Sequence, residues 1–251
     1  MDHDVSGSDT PAYNRALAPA GSMEEWRLAA SVAMLSLAAA SDLRSRSVSD
    51  WLWVAFGALA AGLYVVDPPA NLPLTVLSVV VTGAVSFAVY RLGLFGGADS
   101  LALFVLALLM PAYGGLLSGN PSPLFPLAVF VNALALSAGQ VLVNMARNLL
   151  SWSQSRDLFL GFEGETAGRK ALAFMVGYRS ASPSFSFPIE AGEGAQRRFD
   201  FAIKRAETAQ YEKGRDIWVT PGLPFLLYLL AGLVVAMFLG DLTGLLAGAL
   251  F

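Results

Sequence analysis

The sequence has almost none of the residue types that support metal, thiol or imidazole chemistry. Its 251 residues include no cysteine, and the single histidine, His3, lies in an acidic N-terminal segment. These absences exclude disulfide bonds, zinc–thiolate sites, cysteine nucleophiles, histidine-based metal clusters and serine–histidine catalysis. Charge is also scarce, and the net charge of −3 gives no indication of a nucleic-acid partner. Any chemistry must therefore be carried out mostly by carboxylates.

Apolar residues, by contrast, are abundant. They make up 55% of the chain, only 14% of residues are charged, and the mean hydropathy is +0.58. A soluble domain carries about 25% charged residues and about 45–50% apolar ones. The composition therefore predicts a membrane protein.

Six apolar segments are predicted to cross the membrane, because each approaches the length needed for a hydrocarbon core about 30 Å thick. The predicted spans are residues 26–41, 51–66, 73–92, 100–117, 123–143 and 219–239. Pro111 is expected to kink the fourth span, and the apolar residues 242–251 are too few to cross alone. The predicted fold is an all-α polytopic membrane protein with about six transmembrane helices.

Most of the charge lies between the fifth and sixth spans, where we expect a small α+β cytosolic subdomain. This region has helix-capable charged stretches around a segment in which Pro183 and Pro188 forbid a long helix. The predicted organisation is an extracytoplasmic acidic tail, a membrane domain with spans one to five, the subdomain, and a last transmembrane segment with the C-terminus. These parts are residues 1–24, 25–143, 144–216 and 217–251.

The distribution of Lys and Arg predicts the orientation in the membrane. The hairpin loops after the second and fourth spans contain neither residue, whereas the loops after the first and third spans contain or adjoin arginines. Residues 144–216 contain eleven basic residues. Because basic loops remain on the cytosolic side, we expect a multi-pass plasma-membrane protein whose N-terminus lies outside and whose basic loops and subdomain lie in the cytosol.

Two acidic residues stand out because they lie next to apolar spans. Asp42 follows the first span and Asp99 precedes the fourth, so the predicted topology brings both to the cytosolic face. Two converging carboxyl groups can supply a general base for water and an acid for a scissile carbonyl. Their mutual repulsion and desolvation separate their two titrations, so that the pair can share one proton near neutral pH.

The same residues also allow structural interpretations. Asp99 can be a helix N-cap, and Asp42 can form an ordinary solvated ion pair with Arg44 or Arg46. Gly96 and Gly97 either provide loop flexibility or leave room for a substrate backbone beside Asp99. Spacing alone leaves these alternatives open.

Three segments carry a resemblance to a known family. The segment from Ser41 to Trp51, SDLRSRSVSDW, resembles the first-aspartate segment of type IV prepilin peptidases, and Gly96-Gly97-Ala98-Asp99 resembles their second motif, G-x-[GA]-D. Residues 218–225, WVTPGLPF, are similar to the corresponding segment of archaeal preflagellin peptidases. Together, in this topology, these motifs identify the chain as resembling a GxGD-type membrane aspartyl protease.

The resemblance implies an endopeptidase that removes short basic leader peptides from archaellin or type IV pilin-like precursors at the cytosolic face. Asp42 and Asp99 match the catalytic pair of the family, and no metal or organic cofactor is implied. The residues expected to allow substrate approach are Gly96, Gly97 and Ala98. The residues expected to support the site are Arg44, Arg46, Pro221 and Pro224.

Two departures from the family pattern limit what is implied. Bacterial relatives carry a Cys-rich metal-binding insert between their first spans and also methylate the new N-terminus. The corresponding loop here has about eight residues and no cysteine, so methyltransferase activity is not implied. Ala98 stands where the strict motif has glycine.

Two other classes of function remain as alternatives. A small ion or solute transporter could use the two aspartates as cation or proton ligands, but it predicts acids or broken helices at mid-membrane. A non-enzymatic scaffold predicts that both aspartates can be replaced without effect. The expected partners are precursor proteins and membrane lipids; the sequence does not indicate an oligomeric state or which aspartate is the base.

Overall fold

The computed structural model describes residues 23–113, 122–154, 158–181, 185–192, 194, 197–201 and 216–241. Within these ranges the chain forms seven helices and five short strands. The helices are α1 (Met23–Ser45), α2 (Asp50–Val66), α3 (Leu72–Arg91), α4 (Gly97–Leu109), α5 (Phe125–Gln154), α6 (Ala167–Val176) and α7 (Phe225–Leu239). The strands are β1 (Tyr178–Ser180), β2 (Ser186–Pro188), β3 (Glu190–Ala191), β4 (Arg198–Phe199) and β5 (Ile217–Pro221). The prediction of a mostly helical chain with a small β-containing part is confirmed.

Helix α3 buries polar residues and exposes apolar ones, which is the arrangement expected of a helix that faces lipid. It buries three small polar residues one turn apart, Ser78, Thr82 and Ser86, and exposes bulky residues such as Val80 and Phe87. The Ser78 hydroxyl donates to the carbonyl of Pro111, so this inward polarity is partly satisfied. A water-soluble helix has the opposite arrangement, whereas small polar contacts between helices and an apolar exterior are typical of membrane proteins.

Among the helices within the described ranges, α3 and α5 are long and apolar enough to cross a membrane, by length and composition. Helices α2, α4 and α7 are also apolar but have only 13 to 17 residues. The predicted last span at 219–239 begins too early, because residues 219–221 belong to β5 and α7 starts at Phe225. The apolar Val219 fits a buried strand as well as a helix, so hydropathy alone misplaces this boundary.

The fourth span differs from its prediction of 100–117 with a kink at Pro111. Helix α4 ends at Leu109, and Met110 is extended, with φ −141° and ψ 72°. A proline lacks an N–H and disfavours the helical conformation of the residue before it, so Pro111 ends the helix. Beyond it, Tyr113 pairs with Ser122 in an antiparallel bridge; residues 114–117 lie outside the described ranges.

Helix α5 extends eleven residues beyond its predicted end at 143, into the segment assigned to the subdomain. Two asparagines on this extension bind the carbonyls at the end of α6. Asn148 Nδ2 donates to Phe174 (2.8 Å) and Gly177 (2.7 Å), and Asn144 Nδ2 donates to Met175 (3.3 Å). The long helix therefore holds the subdomain through side chains that satisfy otherwise unpaired helix-terminal carbonyls.

The subdomain packs α6 against an antiparallel sheet with the strand order β1-β5-β2, and Phe162, Phe199 and Trp218 are buried between them. The backbone directly after α6 lies close to β5, because a Cβ at Gly177, the C-cap of α6, would lie 2.6 Å from the Val219 carbonyl oxygen. Strand β5 runs directly into the loop that precedes α7. The subdomain therefore fixes one wall at the end of the helix bundle.

The bundle core lies between α1, α4, α5 and α7. Helices α5 and α7 approach closely at Gly232, where a Cβ would lie 2.5 Å from the Val129 carbonyl oxygen. This packing brings the end of α1, the start of α4 and the loop before α7 to the same end of the bundle.

Candidate active site

Both predicted catalytic aspartates line one cavity of about 380 Å³ at the end of the bundle. Asp42 comes from the last turn of α1 and Asp99 from the first turn of α4. Because both groups line the same cavity, a charge on one carboxyl group opposes ionisation of the other. The topology thus joins two motifs that are far apart in the sequence.

Asp42 is held in an ion pair at the wall of the cavity. Arg46 Nη1 lies 3.5 Å from Asp42 Oδ2, and both side chains are largely shielded, at 14% and 17% exposure. Arg46 has a left-handed backbone conformation with φ 53°, which is uncommon for a residue with a side chain. The ion pair considered as the alternative for Asp42 is thus present with Arg46, but its two side chains are largely shielded and not simply solvated.

The turn after Asp42 is stabilised by serine side chains of the first motif. Ser41 Oγ donates to the Ser47 carbonyl at 2.7 Å, and Ser45 Oγ donates to the Ser41 carbonyl at 3.0 Å. Short hydroxyl side chains can satisfy backbone groups where a helix ends. The serines between the charged residues of the motif thus shape the turn that places Arg46 beside Asp42.

Asp99 has a capping contact and also faces the cavity. The Gly96 N–H donates to Asp99 Oδ2 at 3.3 Å. The following residue, Ser100, is buried, and its carbonyl accepts a hydrogen bond from the Ser86 hydroxyl of α3. The N-cap of α4 is Gly96 and not Asp99, which is the third residue of the helix, so the N-cap interpretation of Asp99 is wrong. The contact of Asp99 with the Gly96 N–H uses one carboxyl oxygen and leaves the other for the site.

Gly96 of the glycine motif has an ordinary backbone conformation. Gly96 has φ −70°, and a Cβ there would lie 3.6 Å from Asp99 Oδ2, an ordinary contact. The left-handed conformation occurs at Gly93 instead, with φ 71°. Gly96 lines the cavity, Gly97 begins α4, and Ala98 packs against the bundle core. What glycine provides at position 96 is open space beside a carboxylate.

Two of the four residues predicted to support the site line the cavity, and two do not. Arg46 and Pro221 line the cavity, Pro224 is the residue before α7, and Arg44 is exposed and does not line the cavity. Arg46 Nη2 donates to the Gly222 carbonyl at 2.8 Å, so the first motif contacts the loop after β5 directly.

Aromatic residues that the sequence did not single out complete the cavity wall. Phe95 and Phe225 line it with their ring centroids 4.3 Å apart. Phe187 lines it from β2, where it pairs with Thr220 of β5. Phe95 adjoins the second motif and could have been noticed, but the position of Phe187 depends on strand pairing, for which the sequence carries no local signal.

This arrangement has the functional groups of an aspartic-type peptidase. One carboxyl group lies beside a cation and the other beside a backbone N–H, and both face a cavity at the end of an apolar helix bundle. Such a pair can hold one proton and present one ionised oxygen to water.

Comparison with known families supports the same class. Residues 29–141 match the type IV leader peptidase family, and residues 174–242 match the archaeal peptidase A24 C-terminus, type II. The first region contains both aspartates and the second contains the loop that adjoins the cavity. These matches confirm the resemblance inferred from the motifs: the chain is similar to the type IV leader peptidase family over the region that holds both aspartates.

Its relatives include three archaeal preflagellin peptidases, each aligned over 82% of this chain. The protein of Methanocaldococcus jannaschii is 24% identical over 229 residues, which cover 91% of its length. Those of Methanococcus maripaludis and Methanococcus voltae are 23% and 22% identical, with 92% of each covered. The chain is therefore an aspartic-type peptidase, and its similarity to these enzymes extends over both the membrane part and the subdomain.

Proposed function

We propose that this chain removes leader peptides from archaellin and type IV pilin-like precursors, with Asp42 and Asp99 as its catalytic pair. The observation that carries the proposal is the single cavity lined by both carboxyl groups. The names of the archaeal relatives, preflagellin peptidases, supply the substrate class.

The proposed chemistry is hydrolysis by general acid–base catalysis without a metal or organic cofactor. The ionised carboxylate takes a proton from water, whose oxygen attacks the scissile carbonyl carbon. The protonated carboxyl group gives its proton to the carbonyl oxygen. When the tetrahedral intermediate collapses, the C–N bond breaks and the leaving nitrogen takes the proton that the base had accepted. One hydroxyl of the intermediate returns its proton to the other carboxylate as the product carbonyl forms, which restores the starting protonation of the pair.

The substrate should have a basic leader, a small residue at the cut and an apolar helix within the bilayer. Lys and Arg in the leader complement a cavity that presents two carboxyl groups. The open space at Gly96 allows an extended backbone to approach Asp99.

We infer six membrane crossings, with the N-terminus outside and the catalytic end and residues 144–216 in the cytosol. The absence of Lys and Arg from the loops after the second and fourth spans supports this orientation. In this arrangement both aspartates lie where their helices leave the bilayer and where water is available. A transporter is less well supported, because Asp42 and Asp99 are near helix ends and the described helices are continuous around them.

The proposal is tested by a cleavage assay in membranes that contain this chain and a pilin-like precursor with a basic leader. Asp42→Asn and Asp99→Asn should each abolish cleavage and leave the amount of inserted protein unchanged, because both changes keep the shape and remove the charge. Asp50→Asn is a matched control, since Asp50 is the exposed first residue of α2, directly after the N-cap Ser49, and an acidic side chain there is worth about 0.3–1 kcal/mol. Full activity of either of the first two variants would refute the assignment.

A further inference from the structure

One side chain at the cavity connects three parts of the structure. The Arg46 guanidinium contacts Asp42 through Nη1 at 3.5 Å and donates from Nη2 to the Gly222 carbonyl at 2.8 Å. Its central carbon also lies 5.3 Å from the centroid of the Phe185 ring, next to β2. The Gly222 N–H in turn donates to the Phe185 carbonyl at 2.8 Å. The backbone N–H and the backbone carbonyl of Gly222 are thus both held by hydrogen bonds.

The charges around the two aspartates are unequal. Among the described residues that line the cavity, Arg46 is the one cation, and it contacts Asp42 rather than Asp99. The side chains that face the cavity from α5, β2 and the loop after β5 carry no charge, as Ser137, Phe187 and Leu223 illustrate. Asp99 receives one backbone N–H and lies at a helix N-terminus.

Two positive influences decide which carboxyl group carries the negative charge: the Arg46 guanidinium beside Asp42 and the helix N-terminus beside Asp99. A helix N-terminus acts as roughly half a positive charge and stabilises an anion by about 0.3–1 kcal/mol at an exposed site and by up to about 2 kcal/mol at a partly buried one such as Asp99. A full guanidinium charge within about 4–6 Å lowers the proton affinity of a carboxylate by about 1–3 pH units, which is a larger effect. The negative charge of Asp42 further opposes a second charge on Asp99.

We propose that Arg46 is a positioning residue that keeps Asp42 ionised as the base and holds the Gly222 loop as the facing wall of the cleft. Asp99 then carries the shared proton and donates it to the scissile carbonyl. The inference rests on the proposed function and adds to it an assignment of roles. The planar guanidinium suits this task because its two terminal nitrogens reach two different partners at once, which an ammonium group cannot do in the same geometry.

The test is the pH profile of kcat/KM for precursor cleavage, measured with the full chain in membranes between about pH 5 and pH 9. Arg46→Gln should move the acid limb up by about one pH unit, so that the loss of activity is about tenfold at low pH and smaller at high pH. Arg46→Lys should restore the acid limb, because it restores the charge, and should retain a raised KM, because the contact with Gly222 is weakened. Arg44→Gln, which changes an exposed arginine two residues away, should leave the profile unchanged.

The outcomes separate this inference from the function on which it rests. If Arg46→Gln lowers kcat/KM equally at every pH, or if Arg46→Lys shifts the limb as much as Arg46→Gln does, the charge role is wrong. If the Arg46→Gln protein does not accumulate, the test depends on Arg46→Lys alone. In that case, an acid limb of the Arg46→Lys profile that is displaced from the acid limb of the unmodified chain overturns the charge role of Arg46. If the unmodified chain fails to cleave, or if Asp42→Asn cleaves, the proposed function itself has failed.

Discussion

The contact between Gly177 and β5 offers a direct test of whether the subdomain positions the cavity wall. A Cβ at position 177 would lie 2.6 Å from the Val219 carbonyl oxygen and 2.5 Å from Ile189 Cδ1. The isoleucine can rotate, but the carbonyl belongs to the central strand of the sheet. Because an ordinary contact needs about 3.4 Å, Gly177→Ala must move β5 by about 0.8 Å, and overpacking of this kind costs about 1–3 kcal/mol.

The displacement should reach the active site because β5 ends only two residues beyond Val219, at Pro221, which lines the cavity. A misplacement of about 1 Å in a catalytic arrangement can cost about 100-fold in rate. We therefore expect Gly177→Ala to lower kcat/KM by about 10- to 100-fold and to lower the thermal unfolding temperature in detergent. The φ of Gly177 is −147°, so the backbone itself accepts alanine and the effect is steric.

Gly168→Ala is the matched control for this measurement. Gly168 lies in the first turn of α6, the helix that Gly177 directly follows, and a Cβ there would meet nothing within 4 Å. Alanine at such a position should leave cleavage unchanged and raise stability by up to about 1 kcal/mol. Equal melting temperatures and equal cleavage rates in the two variants would refute the reasoning. A destabilised but fully active Gly177→Ala would show that β5 does not position the cavity wall.

Three further predictions concern other parts of the molecule. Gly96→Val should reduce cleavage far more than it reduces the protein level, because a branched side chain would occupy the space beside Asp99. Normal cleavage by this variant would mean that Gly96 is not needed for substrate approach. Arg27→Met should lower the free energy of unfolding by about 1.5–3 kcal/mol. The buried Arg27 donates to the Asp67 carbonyl at 3.0 Å and lies 4.5 Å from the Tyr64 ring centroid, and both contacts would be lost. An unchanged unfolding temperature would contradict this prediction. Single cysteines at the exposed positions Ser45 and Asn71 should react with membrane-impermeant reagents from opposite sides, and labelling from one side would mean that α2 does not cross.

Much of the helical part could be predicted because hydropathy is a local signal. The apolar runs locate the bundle helices, and counting them places Asp42 and Asp99 at the same end. The predicted ends of the spans were wrong where one or two residues, and not the overall hydropathy, determine where a helix ends. Pro111 ends α4 where a kink was expected, and Asn144 and Asn148 continue α5 because the carbonyls of α6 satisfy their polar groups.

The cavity wall could not be predicted, because it depends on contacts between distant parts of the chain. Arg46 and Gly222 are 176 residues apart, and no pattern around either one indicates their hydrogen bond. Phe187 reaches the cavity only because β2 pairs with β5. Two- to five-residue strands in a short subdomain also lack the alternating pattern that would reveal the pairing in advance.

The position of the carboxyl pair follows from a requirement of the proposed chemistry. Hydrolysis consumes water, which the hydrocarbon core excludes, whereas the apolar helix of a precursor is most stable within that core. A site near mid-membrane would need its own water channel. With Asp42 in the last turn of α1 and Asp99 in the first turn of α4, the bundle can contact the apolar substrate helix while its end presents the carboxyl groups to water. The subdomain then supplies the remaining wall of the cavity through Phe187 and Pro221, so the membrane part alone would hold both acids but only part of the cleft.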